Sequence, residues 1–494
     1  MPVPFKKDPE EYNGRKLLAE NVFDLIPEDD DCFIYEDIFS QIDTSDLEKK
    51  YSMAGQHAYH PRLITSILIY AYSQGIYSSR KIEARCKKDL SFMYISHLNC
   101  PNFRVLSDFR KNNWQFFKSC FVQSVAIAKS LGMISLGHVS LDGSKFYANT
   151  SKYKAASYKR LNENYKKLEH EIEDLIKKAD YTDSTEDKIY HNGTGYSIPD
   201  DIKIKKDRLA KIKSVKRALE EREKAKDKKD IKDCSQISYA DTQAKLMKTR
   251  GSFEYCYNGQ ISVDEKDQII VSEHLSVNEN DKNELKPALC QIRDNTDSIP
   301  SVMTLDKGYA TPDNINTLDS AGIDGYFATG KGEKEKTADG SSKILSCFFP
   351  YDKSKDIFIC PAGHVLEFKS KNKKRIYKSK GNVCAGCIHL KCIARKKRAA
   401  TMYLDDKAIV LHAMAAKMKS DSSKRIYAKR KIIVEPVFGQ IKTAGFRRFS
   451  LRGHEKAGGE FSLVCAVSNF KKIVKKLKNS KIPSLNEEIA SAMA

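Results

Sequence analysis

The chain has 494 residues, with 86 Lys and Arg against 65 Asp and Glu, and a formal charge of +21. That length exceeds what one hydrophobic core uses, so two or more units are expected, and hydrophobic and aromatic contents of 40% and 10% argue against wholesale disorder. No apolar run approaches the roughly 18 residues of a membrane span, and no apolar segment follows the first lysines as a secretory signal would require. Thirteen cysteines, an odd number, cannot all pair within one chain, which predicts mostly reduced thiols and a cytoplasmic location. The positive excess suggests a polyanion partner, because lysines and arginines that neutralise phosphates release condensed counterions.

Residues 1–135 read as helical. After His60-Pro61 the run Arg62–Tyr72 predicts a buried helix with proline in its first turn, ended by Gly75. Ser78-Ser79 can cap a second helix, from Arg80 to about Leu90. A third spans Asn102 to Phe117, with Arg104, Arg110, Lys111 and Lys118 around it and Trp114 read as packing. Three short basic helices resemble a helix-turn-helix arrangement, and a plain helical bundle fits the residues equally.

The alternating run His138–Tyr147 predicts a strand carrying Asp142. Residues 155–245 switch to Lys/Glu-rich helical sequence, an inserted hairpin whose tip falls within 181–199. Strand patterns return at Phe253–Val263 and Gln268–Leu275, then a helix at Lys282–Asp294, then Ser301–Leu305 ending in Asp306. Thr311-Pro312 starts another helix, and Gly325–Thr329 reads as a strand. Residues 330–420 form a second insertion of lysine-rich loops, one short strand at Asp356–Cys360 and four cysteines. A helix over Arg425–Thr443 bears Glu435 and is kinked at Pro436, Phe461–Leu477 is a final packed helix, and 479–494 is a flexible tail.

With both insertions removed, the order of elements resembles a ribonuclease H-like α/β fold. There, two carboxylates end neighbouring strands and a third comes from a late helix. Singly, each acid has a plainer reading: Asp142 and Asp306 as turn residues, Glu435 as a first-turn helix acid. Together they offer the hard oxygen ligands that divalent cations favour. The anchors are Leu141-Asp142-Gly143-Ser144-Lys145 with Ala148-Asn149, Asp241 with Met247-Lys248 and Tyr257-Asn258-Gly259-Gln260, Asp306-Lys307-Gly308-Tyr309, and Val434-Glu435-Pro436-Val437-Phe438-Gly439. In this order they resemble the DDE transposases of bacterial insertion sequences, in the group with an N-terminal helical domain and a cysteine-bearing insertion.

The resemblance implies a helical DNA-binding domain over 1–135 and a ribonuclease H-like catalytic domain over 136–478. It implies that Asp142, Asp306 and Glu435 hold two Mg²⁺ or Mn²⁺ ions, which activate an attacking hydroxyl and stabilise the leaving oxygen. The expected function is cleavage of double-stranded DNA at terminal inverted repeats and its joining to target DNA, in a homo-oligomeric complex on the nucleoid. A nuclease that cuts without joining, or a catalytically silent DNA-binding protein, is the alternative. The family's Tyr-x2-Arg-x3-Glu-x6-Lys signature matches at Tyr427, Arg430, Glu435 and Lys442, except that four residues separate Arg430 from Glu435. Lys431, one helical turn before Glu435, could then replace Arg430. Arg430, Lys431, Lys442, Arg447 and Arg448 are the expected DNA contacts, and Asn258 could reach a phosphate. Phe446 and Phe449 could stack on a base or sit in the core.

Cys360, Cys384, Cys387 and Cys392 have the spacing C-x23-C-x2-C-x4-C, compatible with a structural zinc site. His364 or His389 could replace one of them, and a cluster of reduced thiols is the plainer reading.

Overall fold

The computed structural model describes residues 22–51, 58–189, 200–224, 230–249, 251–328, 348–389, 392–396 and 399–480. The expected hairpin tip, 181–199, is helical as far as Ile189 and lies outside the described residues over 190–199; the expected tail, 479–494, is helical to Ser480 and lies outside them from 481 on. The chain divides into two units, Met1–Met133 with Ala444–Phe446 and Leu463–Ala494, and Ile134–Thr443 with Arg447–Ser462.

The first unit is helical: α1 (Asp31–Ser40), α2 (Ser45–Glu48), α3 (Pro61–Ser73), α4 (Ser79–Cys86), α5 (Leu90–Ile95), α6 (Phe103–Asn112) and α7 (Trp114–Ser130). Helix α3 has proline at its start and buries Ile64, Ile67, Leu68 and Ile69. It ends at Gly75, whose φ of +73° suits glycine, with Ile76 N–H bonded to Ala71 O at 2.8 Å. The helix expected from Arg80 to Leu90 stops at Cys86, because Asp89 accepts from the Phe92 N–H and caps a separate α5. The third expected helix breaks at Asn113, whose side chain bonds Phe109 O at 3.0 Å and whose backbone leaves the helical region. Arg110, expected on a basic face, is buried against Tyr72 Oη at 2.7 Å and Tyr77 O at 3.0 Å.

The second unit holds a six-stranded sheet built on β1 (His138–Tyr147). After β1 comes an excursion: β2 (Ala155–Ser157), the long helices α8 (Tyr158–Ile189) and α9 (Asp200–Lys224), and β3 (Gln236–Ser238). Strands β2 and β3 pair antiparallel at its base, over a small core of Ala156, Leu161, Val215, Leu219 and Ile237. The sheet resumes with β4 (Lys245–Lys248), β5 (Phe253–Asp264) and β6 (Ile270–Ser276), followed by α10 (Leu285–Thr296), β7 (Val302–Leu305), α11 (Pro312–Ser320) and β8 (Asp324–Phe327). Strand order is β4-β5-β1-β7-β8, with β6 also on β5; β5 is antiparallel to β1, whereas β7 and β8 are parallel to their neighbours. Helical crossovers through α10 and α11 make the parallel pairings possible.

The cysteine-bearing insertion is more regular than its sequence predicts. Five antiparallel strands, β9 (Tyr351–Asp352), β10 (Ile357–Ile359), β11 (Val365–Lys371), β12 (Arg375–Ser379) and β13 (Thr401–Leu404), replace the expected loops. Their core includes Phe349, Phe358, Leu366 and Tyr377, but β11 buries only Leu366 among its seven residues, so alternation is too weak to read. The chain continues through α12 (Asp406–Lys417), α13 (Asp421–Ala428), α14 (Arg430–Ile433), α15 (Glu435–Thr443) and α16 (His454–Ser480). The single late helix expected over Arg425–Thr443 is thus three segments, and Pro436 stands in the first turn of the last, where its missing N–H costs nothing.

Candidate active site

Strand β1 pairs in parallel with β7 up to Leu141↔Leu305, and the next residue on each strand is an acid, Asp142 and Asp306. Asp142 is half-buried and accepts from the Gly143 N–H at 2.9 Å. Burial pushes its carboxyl up to about 6, against the opposing pull of the Arg430 guanidinium. Asp306 is exposed, and the chain after it folds into a 3₁₀ turn over Lys307–Tyr309, closed by Tyr309 N–H on Asp306 O at 3.0 Å. Its charge acts on both Asp142 and Arg430.

The third acid arrives from the late helices. Arg430 Nη2 lies 2.7 Å from Asp142 Oδ1, and Arg430 Nη1 lies 3.2 Å from Glu435 Oε1. One buried guanidinium therefore ties the central strand to the segment bearing Glu435, and charge-assisted bonds of this kind are the strong ones. Arg430 can do so despite the four-residue gap because the extra residue is absorbed at Val434, between α14 and α15. Lys431, the suggested replacement, is exposed.

Lys442 Nζ donates to Ser144 Oγ and lies 5.2 Å from the Phe146 ring centre. Residues 447–449 run beside β1, with Tyr147 N–H on Arg447 O and Phe449 N–H on Tyr147 O, each at 2.9 Å. The exposed Arg447 donates to Lys442 O at 3.2 Å, and Arg448 donates to Thr150 O at 2.9 Å. Phe446 and Phe449 are buried core residues rather than stacking platforms. Asn258 points its amide at Asp281, 2.7 Å away, so the expected reach toward a phosphate is spent inside the protein. Asp241 accepts from Tyr257 Oη at 2.7 Å and is structural.

A family model described as a transposase DDE domain matches residues 359–474, which carry Arg430, Glu435 and Lys442. A second, described as a transposase domain (DUF772), matches residues 20–112, the helices of the first unit. The two matches, on separate parts of the chain, support an insertion-sequence DDE transposase. No curated protein matches the transposase. As they stand among the described residues, no three His, Cys, Asp or Glu side chains group closely enough to hold a metal ion. In the transposase the positive charge between Asp142 and Glu435 is Arg430. No helix among the described residues is long and apolar enough to cross a membrane.

Cys360, Cys384, Cys387 and Cys392, with His364 and His389, line one cavity of about 20 Å³ in the second insertion. His364 N–H donates to Cys360 Sγ at 3.3 Å. Asp281, an acid just before α10 that no motif singles out, accepts from Asn258 and Gln260 of β5.

Proposed function

We propose that the transposase cleaves DNA at the ends of its element and joins the freed strand to a target, using Asp142, Asp306 and Glu435. What supports this reading best is the guanidinium of Arg430, which binds acids from a central strand and a late helix 293 residues apart in sequence. A second support is the sheet order: the long β1 has antiparallel β5 on one side, with β4 and β6 paired antiparallel to β5, and the parallel strands β7 and β8 on the other. That order suits a ribonuclease H-like core.

The chemistry of the donors suits a hard divalent cation, since the acids offer only oxygens, and Asp142, Asp306 and Glu435 would have to draw together around it, with Arg430 giving up its place between two of them. Mg²⁺ or Mn²⁺ there would supply Lewis-acid stabilisation of charge at the scissile phosphodiester. Arg430, released from one carboxylate, is placed to turn toward a phosphate. Lys442, Arg447 and Arg448 follow along the same edge and would hold the backbone without reading sequence. Residues 1–135 would recognise the terminal inverted repeats, and the active assembly would be a homo-oligomer on DNA. The four thiols of the second insertion line one cavity and would take a structural zinc only by drawing closer than they stand, with no part in the chemistry.

The test is cleavage of element-end DNA by the purified chain with Mg²⁺ or Mn²⁺. The expected outcome is cleavage abolished by EDTA and reduced at least about a hundredfold in Asp142→Asn, Asp306→Asn and Glu435→Gln. Strand-transfer products should appear when target DNA is added. Cutting that persists in EDTA, or in all three variants, overturns the proposal.

A further inference from the structure

Asp281 lies between β6 and α10, and no step proposed above uses it. Its Oδ1 accepts two hydrogen bonds, from Asn258 Nδ2 and from Gln260 Nε2, each at 2.7 Å. Both donors belong to β5, where Gln260 stands opposite Gly143 and Asn258 opposite Lys145. The carboxylate also rests on bare backbone. A Cβ at Gly143 would lie 2.4 Å from Gln260 Nε2 and 2.8 Å from Asp281 Oδ1, and a Cβ at Gly308 would lie 2.7 Å from Asp281 Oδ2. Gly143 adjoins Asp142, and Gly308 is two residues past Asp306. Space, and not a left-handed backbone, is what demands glycine at both positions.

The network continues to Tyr309. Its hydroxyl donates to Gln260 Oε1, so both ends of the Gln260 amide are engaged, and its own N–H closes the turn on Asp306 O. Tyr309 is fully buried, and burial with the Asp281 and Asp142 charges holds its hydroxyl protonated. Asp281 thus fixes the orientation of Gln260, Gln260 fixes Tyr309, and Tyr309 braces the turn that carries Asp306. The same carboxylate bears directly on the residue after Asp142.

We infer that Asp281 is a positioning residue for the site at Asp142 and Asp306, an acceptor that locks Asn258 and Gln260 and packs on Gly143 of β1 and on the Gly308 turn so that Asp142 and Asp306 keep their mutual placement. The inference rests on the proposed function. It requires an acceptor oxygen at position 281 and no negative charge, because both donors converge on one atom. A misplacement of about 1 Å in a catalytic constellation can cost a hundredfold in rate, so loss of this brace is felt in turnover more than in DNA affinity.

The experiment measures cleavage of element-end DNA with Mn²⁺ by the full chain, with kcat and KM separated and thermal melting recorded alongside. Asp281→Ala is expected to lower kcat at least about tenfold with KM changed less than about twofold. Asp281→Asn, which keeps the acceptor, should restore kcat to within about threefold of wild type. Gly308→Ala should resemble Asp281→Ala, and the double variant should be no worse than either single one, since both changes act on the same contact. Wild-type kcat in Asp281→Ala overturns the inference, and so does an Asp281→Asn as damaged as the alanine variant. If Asp281→Ala does not fold, the asparagine and Gly308→Ala variants decide. Equal behaviour of wild type and Asp142→Asn overturns the proposed function and this inference together; cleavage that needs Asp142 but ignores Asp281 overturns this inference alone.

Discussion

Asp142 carries its charge where the protein resists it. The folded carboxyl titrates at about 6 against an ordinary value of 3.8, with burial as the main cause. The unfolded chain therefore releases this proton first, and the folded state holds it more tightly over the interval between the two values. Stability from this group is fully present below about pH 4 and is lost as pH rises through about 6, at a cost on the order of 3 kcal/mol by neutral pH. In metal-free buffer Asp142→Asn is expected to melt a few degrees above wild type at pH 8, with the difference shrinking toward pH 5. Arg430 keeps Glu435 as a partner in that variant, so its guanidinium is not stranded. Melting curves that show no gain at pH 8 contradict this account. Asp142, Asp306 and Glu435 were legible as acids after strands or in a first helical turn. Arg430 was not separable from Lys431, because choosing between them needs the break at Val434. Asp281 was illegible, since its meaning lies in two glycines and two amides distant along the chain.

Helix boundaries follow local chemistry closely where a cap or a glycine acts within a few residues. Gly75 is the clearest case. Its φ is +73°, and a Cβ there would approach Ala444 O to 2.7 Å. Gly75→Ala combines a left-handed alanine with a collision against backbone, and is expected to cost about 1–2 kcal/mol or more, seen as a lower melting temperature. Unchanged stability would mean that the turn after α3 can rearrange. Elements whose local signal is weaker differ from the expected ones for a physical reason. The sheet of the second insertion has short strands with exposed lysines, which hide the period-2 pattern. Three helical segments over 421–443 read as one because the residues that interrupt them, Lys429 and Val434, are neither glycine nor proline.

The whole chain carries a surplus of 21 positive charges. If several of them meet phosphates, the binding constant for element-end DNA should fall steeply with salt, with a double-logarithmic slope steeper than about −4. A slope near zero, measured by fluorescence anisotropy across 50–300 mM salt, would count against a backbone-dominated interface. Composition and the order of motifs were enough to determine by themselves a basic α/β protein with a helical N-terminal part, and to raise the expectation of two insertions and of three acids ordered as in DDE transposases. Each of those features is written in nearby residues or in the sequence of motifs. The tertiary structure alone decided that Arg430 holds two of the acids, that Arg110 is buried and that Asp281 accepts from Asn258 and Gln260. The reason is physical: a contact between residues far apart in sequence depends on strand register and on where a helix breaks, and a shift of one residue in either would send the same side chain to a different face.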